Sequence, residues 1–337
     1  MGDRDQQRAK IGAIHVIVTA AAVIALGLLV WNLAQVLLLV FGSIVIATVL
    51  LTGADLLGFL PLPHRWRVAL VAVLAVLILG GFGYLLGNQT REELGGLARE
   101  LPGMVNEVGG YVGIDGLWQR IRDFAERLML RSDVPGNIAG FTTNTVGVVG
   151  GLVLVLVGSV YFAVNPDLYK QGLLALCPRD MRARIGDALD RCGKALQLWM
   201  LGQLLTMIVV GVATTAGLLL IGVPSAIALG LLAGLFEFIP FLGPILAAVP
   251  AIVIAASQGG TMVFWVIGLY LLVQQIENNI IVPVVQHRTV DLPPALGLFS
   301  LLALGLLFGP LGVLLGTPLT VVLMVAVREL WIKANGD

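Results

Sequence analysis

Phe238-Ile239-Pro240-Phe241-Leu242-Gly243-Pro244 stands in the middle of an apolar run that extends from 225 to 256. Pro240 and Pro244 each remove a backbone donor, and Gly243 permits dihedrals closed to other residues. A straight helix cannot pass through this stretch. The arms on either side are about 15 residues long, short of the roughly 20 that a helix needs to cross a ~30 Å hydrocarbon core. The run 293–327 has the same design. It opens with Pro293-Pro294, is interrupted at Phe308-Gly309-Pro310-Leu311-Gly312, and again at Gly316-Thr317-Pro318. Two apolar runs, each too long for one helix and each broken, predict helical hairpins that re-enter the membrane; two kinked spanning helices are the alternative.

The two runs also match each other faintly. At a constant offset of 70, Pro224 aligns with Pro294, Leu231 with Leu301, Leu232 with Leu302, Ala233 with Ala303, Phe238 with Phe308 and Pro240 with Pro310. Leu and Ala matches are common in apolar sequence; prolines sixteen apart in both runs are less so. Paired Gly/Pro-interrupted segments point to a transporter binding site, because irregular backbone at membrane depth is tolerated only when buried in protein or lining a cavity. The expectation is a weak C-terminal inverted repeat whose hairpins enter from opposite faces and meet near the midplane.

The rest of the chain agrees with a membrane setting. Of 337 residues, 58% are hydrophobic and 12% charged, and 20 Lys+Arg balance 20 Asp+Glu. Mean hydropathy is +0.98. Soluble domains are closer to half apolar and a quarter charged, and disordered chains are less apolar still. No basic excess or stripe suggests a nucleic-acid partner. Two cysteines, Cys177 and Cys192, make no disulfide scaffold. Residues 11–31, 33–51, 68–87 and 142–164 contain no Lys, Arg, Asp or Glu. With 199–221, 225–256, 261–283 and 293–327 they make about eight hydrophobic segments. Residues 11–31 are longer than the apolar part of a signal peptide and read as the first membrane helix. The fold class is thus an all-α polytopic membrane protein.

Basic residues of the short loops set the orientation. Arg4, Arg8 and Lys10, then Arg65 and Arg67, then the cluster from Lys170 to Lys194, then Arg328 and Lys333 fall on one side if the segments alternate as drawn. That side is the cytoplasm, and it holds both termini. Segment 88–141 then faces outward, and its six Arg against eight acidic residues carry no positive bias. It shows two helical periods, Leu94 to Val108 and Leu117 to Leu128, which lie on the membrane or on each other, or else form a subunit interface or vestibule. Residues 178–198 form a basic amphipathic helix, read either as lying along anionic headgroups or as a coupling helix. The organisation read from this is 1–87 as scaffold helices, 88–141 as extracytoplasmic insert, 142–198 as fourth membrane helix plus amphipathic helix, 199–327 as transport domain and 328–337 as tail.

Between Lys194 and Arg328 the charged residues are Glu237, Glu277, Arg288 and Asp291. Glu237 lies three residues before Pro240. Glu277 lies in Gln274-Gln275-Ile276-Glu277-Asn278-Asn279, where helical spacing puts Gln274, Glu277 and Asn278 on one face. Acids and amides in a membrane segment are functional candidates by default, and a desolvated carboxyl can carry a proton. The competing reading is that they satisfy backbone groups orphaned by the breaks. Arg288 and Asp291, in the loop before Pro293, are candidates for a gate. The candidate solute- or ion-binding set is Gln274, Glu277, Asn278, Asn279 and Glu237, with Pro240, Gly243, Pro244, Gly309, Pro310 and Gly312 at the breaks. Nothing implies an enzyme, cofactor or metal centre. No phosphate-binding loop and no His-Glu-x-x-His motif is present, and the three histidines (His15, His64, His287) are scattered.

These motifs, in order and spacing, resemble the AI-2E family of transporters, also called the autoinducer-2 exporter or PerM-like family. The stretches that carry the resemblance are Gly222-Val223-Pro224, Leu229 to Leu235, Phe238 to Pro244 with Pro250, Gln275 to Asn279 with Ile281 and Pro283, Leu292-Pro293-Pro294, and Leu307 to Gly312 with Pro318. Glu237 stands where similar sequences often carry a neutral residue, and Pro293 where many have His or a small one. The resemblance implies export of a small polar solute such as autoinducer-2 or a related metabolite. For some members it implies sodium/proton antiport instead. It also implies a homo-oligomer, with a pentamer as the expected number. A non-transporting scaffold is the remaining alternative. The bilayer expected is the cell inner membrane, crossed several times.

Overall fold

The computed structural model describes residues 33–89, 145–258, 260–283 and 292–332, with a few positions of 103–123. The expected helix 11–31, most of the insert 88–141, the tail beyond 332, and Arg288 and Asp291 lie outside the described residues. Among the described residues the secondary structure is helical and contains no strand.

Helix α1 covers 33–56, ending in a short 3-10 turn at Leu57–Phe59; α2 is His64–Gln89 and α3 is Thr145–Val164. Ser43, Thr48 and Thr52 donate to the carbonyls of Leu39, Ile44 and Thr48, so their hydroxyls are satisfied inside α1. Ala47, Leu50 and Ala54 of α1, Val68 of α2 and Ala163 of α3 form one buried cluster. Small residues let these helices approach, as packing in lipid requires. At Gly158 a Cβ would come within 2.8 Å of the Ser43 hydroxyl. His64 Nε2 lies 3.3 Å from the Ala163 carbonyl and ties α2 to the end of α3.

Asn165 precedes a proline and leaves the helical region (φ −135°, ψ 63°). The chain turns by 89° there into α4, Pro166–Ala175. Lys170 joins α4 to the next helix through Asp190 at 2.6 Å. That helix, α5, runs unbroken from Arg182 to Ile221, 40 residues. At 1.5 Å per residue it is about 60 Å long, twice the hydrocarbon thickness. The basic amphipathic segment and the apolar segment that follows it are therefore one rod, and the sequence boundary drawn at 198 falls inside it. Gly222 ends α5 in the left-handed region (φ 84°): its N–H returns to Leu219 and that of Val223 to Leu218, a Schellman closure.

The first broken run is α6, Ala226–Phe236, and α7, Leu242–Ser257. The turn 237–241 separates them, and Phe241 holds a positive φ of 69°. The arms fold back on each other, since a Cβ on Gly243 would overlap the Phe236 carbonyl. Helix α8, Gly260–Ile276, passes into a π-turn at Glu277–Ile281. The second broken run is α9, Pro294–Val327. It is not one rod: Gly309 has φ 64° and ψ −145°. Added Cβ atoms at Gly312, Gly305 and Gly316 would meet Leu304, Val313 and Leu301, so the part after Gly309 doubles back along the part before it.

Three of the described helical stretches are long and apolar enough to cross a membrane: Leu33–Phe59, Arg179–Ile221 and Pro294–Ile332. The third earns its length across the Gly309 turn. Of the about eight hydrophobic segments expected, the described residues hold these three long apolar stretches and shorter apolar helices such as Ala226–Phe236.

Candidate functional site

The site is assembled around α5. Within its apolar half, Gln203, Thr206, Val210 and Thr214 recur at three- and four-residue spacing and share one face. Helix α6 lies close against α5, where Gly211, Gly230 and Gly234 leave no room for side chains. A Cβ on Gly234 would come within 2.6 Å of the Met207 carbonyl. This contact fixes where α6 ends, and hence where Glu237 sits.

Glu237 follows the last residue of α6, its N–H bonded to the Ala233 carbonyl, and is 2% exposed. Gln203 Nε2 donates to the Glu237 carbonyl at 2.6 Å. The Trp199 and Phe238 rings meet edge to face at 6.3 Å. These two contacts pin the turn 237–241 to α5. From the other side α8 brings Glu277, 8% exposed, at the start of its π-turn. A π-turn shifts the helical register locally and is frequent at functional sites. The two carboxyl groups line one small space. Gln274 Nε2 donates to Glu277 Oε2 at 2.8 Å.

A small cavity lies between these elements. Thr214 of α5, Glu237 of the turn 237–241, Pro244 and Ala247 of α7, Tyr270 and Gln274 of α8, and Glu277 of the π-turn line it. The Tyr270 hydroxyl donates to the Ala247 carbonyl at 3.2 Å and closes one side. The enclosed space suits one water-sized species. No Lys, Arg or His is among the lining residues. Glu237 also sits at the C-terminal end of α6, where the macrodipole is negative. Buried negative charge without a basic partner is costly, so the arrangement favours a proton or small cation.

The structure thus joins four of the residues expected from sequence: Glu237, Pro244, Gln274 and Glu277. It does not bring Asn278 and Asn279 to the cavity. Both are exposed, and Asn279 Nδ2 donates to the Gln275 carbonyl at 2.8 Å. The π-turn rotates them off the face that a regular helix would have given Asn278. Gly243 is buried at the turn itself, and Pro240 is half-buried beside it. Gly309 and Gly312 are buried at the second break, with Pro310 exposed, and none of the three lines the cavity. Phe238 and Phe308, matched by the faint repeat, pack against one common core with Leu196, Trp199 and Leu315. Thr214, Tyr270 and Gln203 were not legible as site residues singly. The polar positions recurring along 203–214 of an otherwise apolar helix are the signal that could have found them.

The family profile described as AI-2E family transporter matches residues 16–331. The chain belongs to the AI-2E family. It is a membrane transporter, and its family works on small solutes in a lipid bilayer. The chain is similar to YrrI of Bacillus subtilis, 32% identical over 165 residues, 49% of this chain and 47% of YrrI. It is also similar to PerM of Escherichia coli K12, 27% identical over 80% of this chain and 79% of PerM. The AI-2 transport protein TqsA of the same strain is 26% identical over 79% of both chains. AI-2E relatives are named as transport proteins or permeases, not as enzymes.

Proposed function

We propose that this AI-2E protein is an ion-coupled secondary transporter that exports a small polar solute of the autoinducer-2 or related-metabolite class. Glu237 and Glu277 form its coupling site. The observation that carries the reading is the meeting of two buried carboxyls, one from the turn 237–241 and one from a π-turn, with no basic side chain among the described residues that line their cavity. Such a pair cannot stay doubly ionised away from water, so it takes up a proton or a cation. The taken-up charge then links hairpin and α8, and its release frees them to move apart. The scaffold is the helices before α5, and the moving part carries the hairpins and α8. In this reading both hairpins re-enter the membrane from opposite faces. The termini are cytoplasmic, the membrane is the inner membrane, and the working unit is a homo-oligomer of about five copies.

A second reading is cation/proton antiport without an organic solute. The size of the cavity favours it, since the space holds a water-sized species and not a sugar-like one. In the first reading the solute passes elsewhere, or enters only after the hairpin and α8 separate. Proteoliposomes decide between the two. A sodium-dependent pH change without added solute supports antiport. Solute efflux that needs an ion gradient supports export. In either case Glu277→Gln abolishes coupled flux while leaving assembly intact. Wild-type flux in that variant overturns the proposed site.

A further inference from the structure

Five threonines in these helices close their hydroxyls onto their own backbone. Thr206 donates to the Gly202 carbonyl at 3.1 Å, Thr215 to Gly211 at 2.7 Å and Thr320 to Gly316 at 2.7 Å. Thr48 and Thr52 of α1 do the same. Thr214 departs from the pattern. It is 1% exposed and lines the cavity, and its Oγ1 has no hydrogen-bond partner. Oε2 of Glu237, across the same cavity, is also buried without a partner. A buried polar group left unsatisfied is destabilising, because its lost hydration is not replaced. Two such oxygens around one small space indicate an occupant that satisfies both.

Size, charge and donor type define the occupant. The space is that of one water molecule. The polar groups around it are the Glu237 and Glu277 carboxyls, the Thr214 and Tyr270 hydroxyls and the Gln274 amide, whose nitrogen donates to Glu277. Carboxyl and hydroxyl oxygens with no basic side chain among the described lining residues suit a hard cation. The titratable groups facing it are Glu237 on the hairpin and Tyr270 and Glu277 on α8; α5 and α7 present none.

We propose that Thr214 is a direct ligand of a single water-sized monovalent cation, held with Glu237 and Glu277 between α5, the first hairpin tip and α8. The inference rests on the ion-coupled reading above and adds a residue and an occupant to it. Sodium and protonated water share the required size and charge.

The test is the melting temperature of the purified full chain in detergent. It is recorded against sodium chloride, with choline chloride holding ionic strength, at several pH values. A sodium occupant gives saturable stabilisation by sodium. Thr214→Val then raises the half-saturating concentration about tenfold, the factor that one lost ligand of ~1.4 kcal/mol produces, and Thr214→Ser stays near wild type. A protonated-water occupant gives no sodium response; acid stabilises instead, and Thr214→Val moves that pH profile while Thr214→Ser does not. Thr214→Val with the sodium and pH responses of wild type overturns the ligand assignment. Equal loss in the Val and Ser variants overturns it too, since the hydroxyl would then not be the cause. If Thr214→Val is silent while Glu277→Gln abolishes the response, the coupling reading survives alone. If Glu277→Gln is also silent, that reading fails with it.

Discussion

Gly243 and Gly193 are the same residue type with opposite consequences. Gly243 sits at the first hairpin turn, where a Cβ would overlap the Phe236 carbonyl, a backbone atom with nowhere to move. Gly193 lies on an exposed face of α5, with open space where its Cβ would be. Alanine at 243 should therefore lower stability by about 1–3 kcal/mol, the usual cost of overpacking. Alanine at 193 should raise it by up to about 1 kcal/mol through helix propensity. Thermal melting of the two variants in detergent checks both signs. The sequence made Gly243 legible because prolines flank it. It left Thr214 unread, because a lone threonine in an apolar helix usually bonds to the carbonyl four residues back. Only the geometry reveals that this one does not.

At the scale of elements, the broken runs were readable because proline and glycine act locally. Pro240 stands in the turn 237–241, and Gly243 and Pro244 stand in the first turn of the helix that follows, where proline is tolerated. The second turn falls on Gly309, one residue before Pro310. The π-turn at Glu277–Ile281 was not readable, since no residue there forbids an ordinary helix. Its effect is to leave Glu277 facing inward while Asn278 and Asn279 face out. The continuity of α5 was hidden for a different reason. The change from charged to apolar composition near 198 falls inside the helix and is not where it ends. If both hairpins are re-entrant, position 288 lies in the cytoplasm. A single cysteine there, with Cys177 and Cys192 replaced, should react with an impermeant reagent only from the cytoplasmic side. Labelling from outside in intact cells would mean that each broken run crosses the membrane.

On the scale of the whole molecule, composition decided the class and packing decided the site. A chain with 12% charged residues has few places to put a carboxylate by accident. Two that fall inside apolar runs 40 residues apart, at 237 and 277, and then meet in space, are held there by the fold. Spacing could nominate each acid, but could not show that α6 and α8 converge on α5. That convergence depends on the glycine contacts of α5 with α6, which have no signature in a sequence where glycine is common. The proposed cycle turns this convergence into work: a cation displaces the proton of the pair, or the proton displaces the cation.

The measurement that tests this most directly is proton release from purified protein in weakly buffered detergent, read with a pH dye as sodium chloride replaces choline chloride. With sodium as the occupant, the account predicts about one proton released per chain in the wild type on saturation, as expected for a coupled carboxyl pair. It predicts none in Glu277→Gln or in Glu237→Gln. Release that persists undiminished in both variants would contradict the central claim, because the exchanging group would then lie elsewhere in the molecule.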